Sequence, residues 1–124
     1  MAVDQSPGDP WPSEWLRGVL EVCALRLLAD GPTYGYAIAT RLAEAGLGEV
    51  KGGTLYPLLG RLETAGLVET QWRAGEQGPG RKYFSLTPLG LESLHHRRSQ
   101  WHAFTTTTIT LLDGSSQPPE EETP

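Results

Sequence analysis

The sequence predicts a mainly α (α+β) domain in the order helix, helix, helix, β-hairpin, helix, and three observations carry that expectation. Apolar residues recur at spacings of three and four as far as Gly66, which is the amphipathic-helix pattern. The period then drops to two in LVETQWR and RKYFSLT, as in strands, and a Thr-Pro pair at Thr87 and Pro88 restarts a helix. With 124 residues the chain has room for one core but not for a core and an elaborate catalytic cleft, and a partner chain can complete it.

The first helix is expected after Pro12, with Ser13 as its N-cap, running to about Ala29 before the Asp30-Gly31-Pro32 break. Leu16, Leu20, Cys23 and Leu27 form one apolar stripe, and Trp15, Val19 and Val22 form an adjacent one. One stripe can face the domain's own core, which leaves the other for an interface or a pocket. Thr33 is placed to cap a second helix, TYGYAIATRLAEAG, in which Tyr34, Ile38, Leu42 and Ala45 share a face and Gly46 supplies the stop. A third helix buries Leu55, Leu58, Leu59 and Leu62 and ends at Gly66. Three short helices joined by tight glycine-containing breaks match a helix-turn-helix core.

The two alternating segments flank AGEQGPG, a glycine-rich loop without an apolar anchor, so they read as a hairpin with a mobile tip. Thr87 as N-cap and Pro88 at the first helical position then open a fourth helix that runs to about Leu112. Its Leu94, Trp101 and Thr108 recur every seven residues, with Arg97, Phe104 and Leu111 between them, an imperfect heptad seam. Threonines 105 to 108 lower its helix propensity because they are β-branched.

The net charge of −5 would argue against a nucleic-acid partner if it were spread evenly. It is not: residues 1–50 carry three bases against seven acids, residues 51–112 seven bases against four acids, and residues 113–124 four acids alone. The middle is locally basic, which is the quantity that matters for a polyanion. A single cysteine, Cys23, rules out a disulfide within the chain and suits a reducing cytoplasm. The start MAVDQSPGDPWPSEW has neither the basic opening nor the apolar run of a signal peptide, so a cytoplasmic protein without a membrane partner is expected.

If the four leucines of the third helix face inward, Thr54, Pro57, Arg61 and Thr64 face outward, with Tyr56 on the flank. A slim face with one reaching arginine and a tyrosine hydroxyl suits the major groove, while Gly52 and Gly53 expose backbone N–H groups to a phosphate at the helix N-terminus. Arg81 and Lys82 beside the hairpin tip can reach the neighbouring backbone. A plain helical core with a surface hairpin fits the same pattern, because fold alone does not license function.

The runs YGYAIATRL, GTLYPLLGRLETAGLV and GRKYFSLTPLG together resemble the PadR family of winged-helix transcriptional regulators, in the family's order and spacing, over about residues 16 to 94. The resemblance implies a winged helix-turn-helix DNA-binding domain over 13–87 and a C-terminal dimerisation helix over 88–112; outside them, the acidic, proline-rich residues 1–12 are expected to be a flexible segment and the proline, serine and glutamate content of 113–124 a disordered acidic tail. It makes the third helix the recognition helix and the hairpin the wing, with Tyr34, Lys51, Gly53, Thr54, Tyr56, Pro57, Arg61, Arg81 and Lys82 against double-stranded DNA. The single last helix is similar to that of the short subgroup, where it forms a homodimer; the seam expected here is Leu94, Trp101, Phe104, Thr108 and Leu111.

So poor a seam needs further burial, which Trp15, Val19 and Val22 of the partner's first helix can supply. Trp101 has two readings: a large dimer-core residue, or one of two symmetry-related rings that stack on a flat aromatic or cationic ligand, with Trp15, Val19, Val22 and Phe104 as lining. Short members of the family include regulators that bind hydrophobic drugs at the dimer centre, so the resemblance implies a hydrophobic or aromatic small-molecule effector and a ligand-responsive repressor. A protein-interaction or RNA-binding winged helix without an effector is the alternative, given the negative net charge and a recognition face with only Arg61.

Other chemistries find little support. His95, His96 and His102 lack the partner spacing of a metal site, so no metal is expected. Cys23 in an apolar stripe reads as a core residue rather than a redox sensor. No nucleophile or paired carboxylate stands in a catalytic setting, and Gly78-Pro79-Gly80 is not a phosphate-binding loop, so neither an enzyme nor a cofactor is expected.

Overall fold

The computed structural model describes residues 11–75 and 78–114. The hairpin tip at 76–77 and most of both expected end segments therefore lie outside the described residues. The elements are α1 (Ser13–Leu28), β1 (Thr33–Tyr34), α2 (Gly35–Leu42), a wide turn over Ala43–Leu47, α3 (Gly52–Thr64), β2 (Val68–Arg73), β3 (Arg81–Leu86) and α4 (Pro88–Asp113). The strands form one antiparallel sheet in the order β1-β3-β2. The expected mainly α (α+β) architecture is what the chain adopts.

Two helix starts differ from expectation. Ser13 is the first helical residue rather than the cap, and the cap position falls on Pro12, whose carbonyl accepts from Trp15 and Leu16 N–H at 3.0 and 3.3 Å. Thr33 does not cap α2 either. It pairs with Phe84 while Tyr34 pairs with Tyr83, so the two residues form a short edge strand on β3, and the cap position passes to Tyr34 without a side-chain bond. The inner edge of the hairpin leaves backbone groups that need partners, and this pairing satisfies them. Tyr34 is thereby taken off the helix face that Ile38 and Leu42 do share, and Ala45 is exposed in the wide turn.

Local chemistry fixes the other ends. Gly66 has φ +77°, and N–H groups of Gly66 and Leu67 donate to the carbonyls of Glu63 and Leu62 at 2.9 Å each, the glycine-terminated helix stop that turns α3 into β2. Thr87 Oγ1 accepts from Gly90 N–H at 2.9 Å and donates to the Gly66 carbonyl at 2.7 Å, so one hydroxyl caps α4 and ties it to the end of α3. Gly90 is buried against the Leu67 carbonyl, where a side chain has no room. The threonine run does not break α4: Thr105 Oγ1 donates to the Trp101 carbonyl at 2.8 Å and the helix continues through it.

The core lies where α1, α2, α3 and the inner face of the sheet meet. Leu55, Leu58, Leu59 and Leu62 of α3 are all buried as expected, with Ile38 and Leu42 of α2, Val68 and Phe84 of the sheet, and Leu20, Ala24, Leu25 and Leu28 of α1. Each of these side chains except Ala24 contributes about 1.5–3 kcal/mol of transfer free energy. On α1 the buried side is rotated from the expected stripe: Leu20 is buried, but Leu16, Cys23 and Leu27 are only flanking. Burial at that flank pushes the Cys23 thiol pKa up.

The second stripe of α1 meets the chain's own α4. Val22, expected to be left over, is buried at 9% exposure, while Val19 is half-buried and Trp15 stays exposed. The Trp101 ring lies over Gly18 of α1, its Cζ2 atom 3.9 Å from the position a Cβ would take, an ordinary contact distance. Leu94 of the expected seam is likewise buried within its own chain, at 4% exposure. Heptad spacing identifies a helix face that needs covering without saying which chain covers it.

Candidate nucleic-acid interface

α3 presents its N-terminal half on the outside. Lys51, Gly53, Thr54, Tyr56 and Pro57 are all exposed, whereas Leu55 between them and Leu58 and Leu59 after them are buried. Lys51 takes the cap position, and its carbonyl accepts from Thr54 and Leu55 N–H at 2.9 Å, so the helix starts abruptly at two glycines. Pro57 lies inside α3, at its sixth residue, so the helix lacks the bond that an N–H there would make to the Gly53 carbonyl. The Tyr56 ring packs against Gly35 at the start of α2: a Cβ on Gly35 would stand 2.7 Å from Tyr56 Cζ. This glycine therefore sets where the Tyr56 hydroxyl points.

The wing stands beside that helix. β2 and β3 pair from Val68 with Leu86 to Arg73 with Arg81, which puts Arg73, Arg81 and Tyr83 on the outer face and Thr70, Trp72, Lys82 and Phe84 on the inner one. The outer face is a run of alternating cations and rings: Arg73 lies 4.2 Å from the Tyr83 centroid, Tyr83 meets Tyr34 edge-on at 5.4 Å, and Arg81 lies 4.4 Å from the Tyr34 centroid. Tyr34, half-buried, thus props Arg81 rather than standing free. Lys82 leans toward Glu63, with Nζ and Oε1 3.7 Å apart and both side chains about 40% exposed, a pair that solvent screens.

Arg61 is on the outer face of α3 but is turned back to α1. Its Nε donates to Glu21 Oε2 at 3.1 Å, and Arg97 of α4 donates to the other oxygen of Glu21 at 3.0 Å. One carboxylate thereby joins α1, α3 and α4. Sequence reading missed Glu21 and Arg97 in this role, and it missed two large exposed rings beside the wing, Tyr36 at 74% and Trp72 at 69%.

At the other end of the molecule, α1 and α4 enclose an apolar groove of about 770 Å³ that includes Trp15, Val19, Trp101, Phe104 and Thr108. Trp101 and Phe104 meet edge-to-face at 5.5 Å, and Trp15 lies 6.4 Å from Trp11. The Trp11 indole N–H donates to the Gly46 carbonyl at 2.7 Å, which anchors the start of the described chain to the turn after α2. Val22 faces a neighbouring concavity with Trp101 and Phe104 rather than this groove. Phe104, Ile109, Leu111 and Leu112 are all more than half exposed along α4.

Helices with a β-hairpin set beside an exposed third helix define a winged helix-turn-helix fold. The model of the PadR-like family of transcriptional regulators matches residues 24–96, more than half of the chain. A PadR-like transcriptional regulator from Bacillus cereus is similar over 82% of this chain and 99% of its own, at 38% identity and a TM-score of 0.73. A PadR family regulator from Eggerthella lenta is 37% identical over 83% of this chain and 89% of its own, with a TM-score of 0.75. Transcriptional regulator Rv3488 of Mycobacterium tuberculosis is 33% identical over 85 residues, 68% of this chain and 78% of that protein. The chain belongs to the PadR-like family and is a DNA-binding transcriptional regulator, not an enzyme. Among the described residues no helix is long and apolar enough to cross a membrane.

Proposed function

We propose that the protein is a ligand-responsive repressor that binds a pseudo-palindromic operator as a homodimer and answers a hydrophobic or aromatic small molecule held at the dimer interface. The observation that carries the dimer and the effector is the apolar groove between α1 and α4, lined with Trp15, Val19, Trp101 and Phe104 and continuous with exposed Leu112. Exposed apolar surface of this extent is costly in water and is relieved by a second copy. The seam then consists of Trp101, Phe104, Thr108 and Leu111, without Leu94.

At the DNA, Lys51, Gly53, Thr54, Tyr56 and Pro57 enter the major groove, and Arg81 and Lys82 hold the adjoining backbone, with Tyr34 supporting Arg81. Arg61 joins them only where a phosphate competes with Glu21 for its guanidinium. A two-fold dimer sets the two recognition helices about 34 Å apart, one turn of DNA. A ligand in the groove alters that spacing and changes DNA affinity by no more than its own preference between the two states.

The test combines mass in solution with a gel shift on the palindrome nearest the protein's own gene. A two-chain species is expected, and a planar aromatic dye should quench Trp101 emission and change operator affinity about tenfold, a typical coupling between two sites. A monomer at micromolar concentration overturns the dimer. A Trp101→Ala protein that binds the dye as tightly as wild type overturns the effector site.

A further inference from the structure

Between the wing and the start of α2 lies an open cleft of about 400 Å³ whose walls are unusually aromatic: Tyr36 and Tyr56 on one side, Trp72 on the other, with Arg81 and Lys82 at its rim. No carboxylate is among its lining residues. Strand alternation explains why an indole stands here. Val68, Thr70 and Trp72 share the inner face of β2, and Val68 is buried in the core, but the hairpin outruns the core and leaves Trp72 hanging beyond its edge at 69% exposure. Its ring packs on no other aromatic ring among the described residues, and its cross-strand neighbour is Lys82.

We propose that this cleft seats one strand of duplex DNA as it passes from the major to the minor groove, with the Trp72 indole packed on a deoxyribose face, Tyr36 and Tyr56 donating hydroxyls to phosphate from the opposite wall, and Lys82 paired with the next phosphate. The inference rests on the DNA-binding reading and assigns Trp72 and Tyr36 as contacts of the same surface. Three features of the cleft point to this occupant. The two cations at the rim suit a polyanion, for which Lys82 exchanges its solvent-screened partner Glu63. Apolar and hydroxyl-bearing walls match a backbone that alternates sugar and phosphate. The position between α3 and the wing is the one that a duplex with α3 in its major groove must thread. A single strand with splayed bases is the rival occupant, because such bases stack on exposed rings.

A backbone contact is independent of sequence, so a mixed-sequence duplex serves as the probe. Trp72→Ala is expected to weaken its binding about tenfold at every salt concentration while leaving the slope of log K against log salt unchanged, since an indole releases no counterion. Lys82→Ala is expected to lower that slope by about 0.9. DNA should quench part of the wild-type tryptophan emission, and Trp72→Phe, which keeps an aromatic ring, should bind while losing the quench, because Trp11, Trp15 and Trp101 lie at the other end of the molecule. Wild-type binding with unaltered affinity in Trp72→Ala, or an unaltered quench in Trp72→Phe, overturns the contact alone. Tighter binding of the separated single strand than of the duplex overturns the occupant. No binding of any duplex by wild type overturns the DNA reading of the surface and this contact with it. Should Trp72→Ala fail to fold, the quench of Trp72→Phe decides.

Discussion

The two ends of the molecule expose rings to a similar degree, yet they are built for different partners. Beside the wing, Tyr36, Tyr56 and Trp72 stand among Lys51, Arg81 and Lys82, with Glu49 the one acid in the lining. Along α1 and α4, Trp15 and Phe104 stand among Val19, Leu112 and Trp101, with Glu14 the one charged residue in the lining. Exposure is therefore no guide by itself. What surrounds the ring decides: cations and hydroxyls suit a polyanion, whereas aliphatic neighbours suit a second apolar surface or a ligand.

The two ends are joined through the root of α4. Gly90 lies at the root of α4, where a Cβ would run into the Leu67 carbonyl and stand 2.8 Å from Leu86 Cδ1. Backbone cannot yield there as a side chain does, so Gly90→Ala is expected to cost about 3 kcal/mol, the upper end for overpacking. For a domain of this size that is a fall of roughly 10 °C in Tm. DNA binding and dimerisation should weaken together. A Gly90→Ala protein with wild-type Tm would mean that α4 docks less tightly than its capping bonds suggest.

Gly35→Ala is the selective counterpart. The added methyl meets the Tyr56 ring, which is half exposed and free to swing, so stability should change by less than about 1 kcal/mol. The hydroxyl is then misdirected, and operator affinity should fall about tenfold, or about 1.4 kcal/mol, with an unaltered dimer. Retained affinity would show that the Tyr56 hydroxyl is not aimed at DNA.

Much of this was legible because the signals are local. Gly66 stops α3, and Thr87 with Pro88 starts α4, each through bonds within a few residues or to an adjacent turn. The four leucines of α3 were readable because nothing competes for that face. The failures have non-local causes. Thr33 was drawn into a strand by an edge that the sequence places some fifty positions later, at Phe84. The rotation of α1 and the burial of Leu94 depend on which helix covers a face already apolar on both sides. Glu21 meets Arg61 and Arg97 across separations of 40 and 76 residues, which no periodicity records. Trp72 was within reach, since the alternation that buries Val68 puts Trp72 on the same face, but the point where the core ends is set by packing.

The smallest expected effect concerns how each end is fastened to α1. α4 is held there by apolar packing of Trp101 and by Arg97 on Glu21, whereas α2 is tied to the end of α1 by an exposed clasp: Asp30 accepts from Arg26 at 2.8 Å and from Arg41 at 2.7 Å. The hydrogen bonds from Arg41 and then Arg26 hold the Asp30 carboxyl below its ordinary pKa, because they favour the ionised form. A folded pKa below the unfolded one, about 3.9, means that the clasp contributes above that value and that its contribution disappears as pH falls through the folded pKa. Asp30→Asn should thus lower the urea midpoint slightly and by a constant amount between about pH 7 and 5, and the gap to wild type should close on further acidification. A gap that persists unchanged in strong acid would assign the loss to side-chain packing instead of charge. A gap absent at neutral pH would mean that the two arginines gain as much from solvent as from Asp30, and that α2 is fastened to α1 by apolar contacts instead.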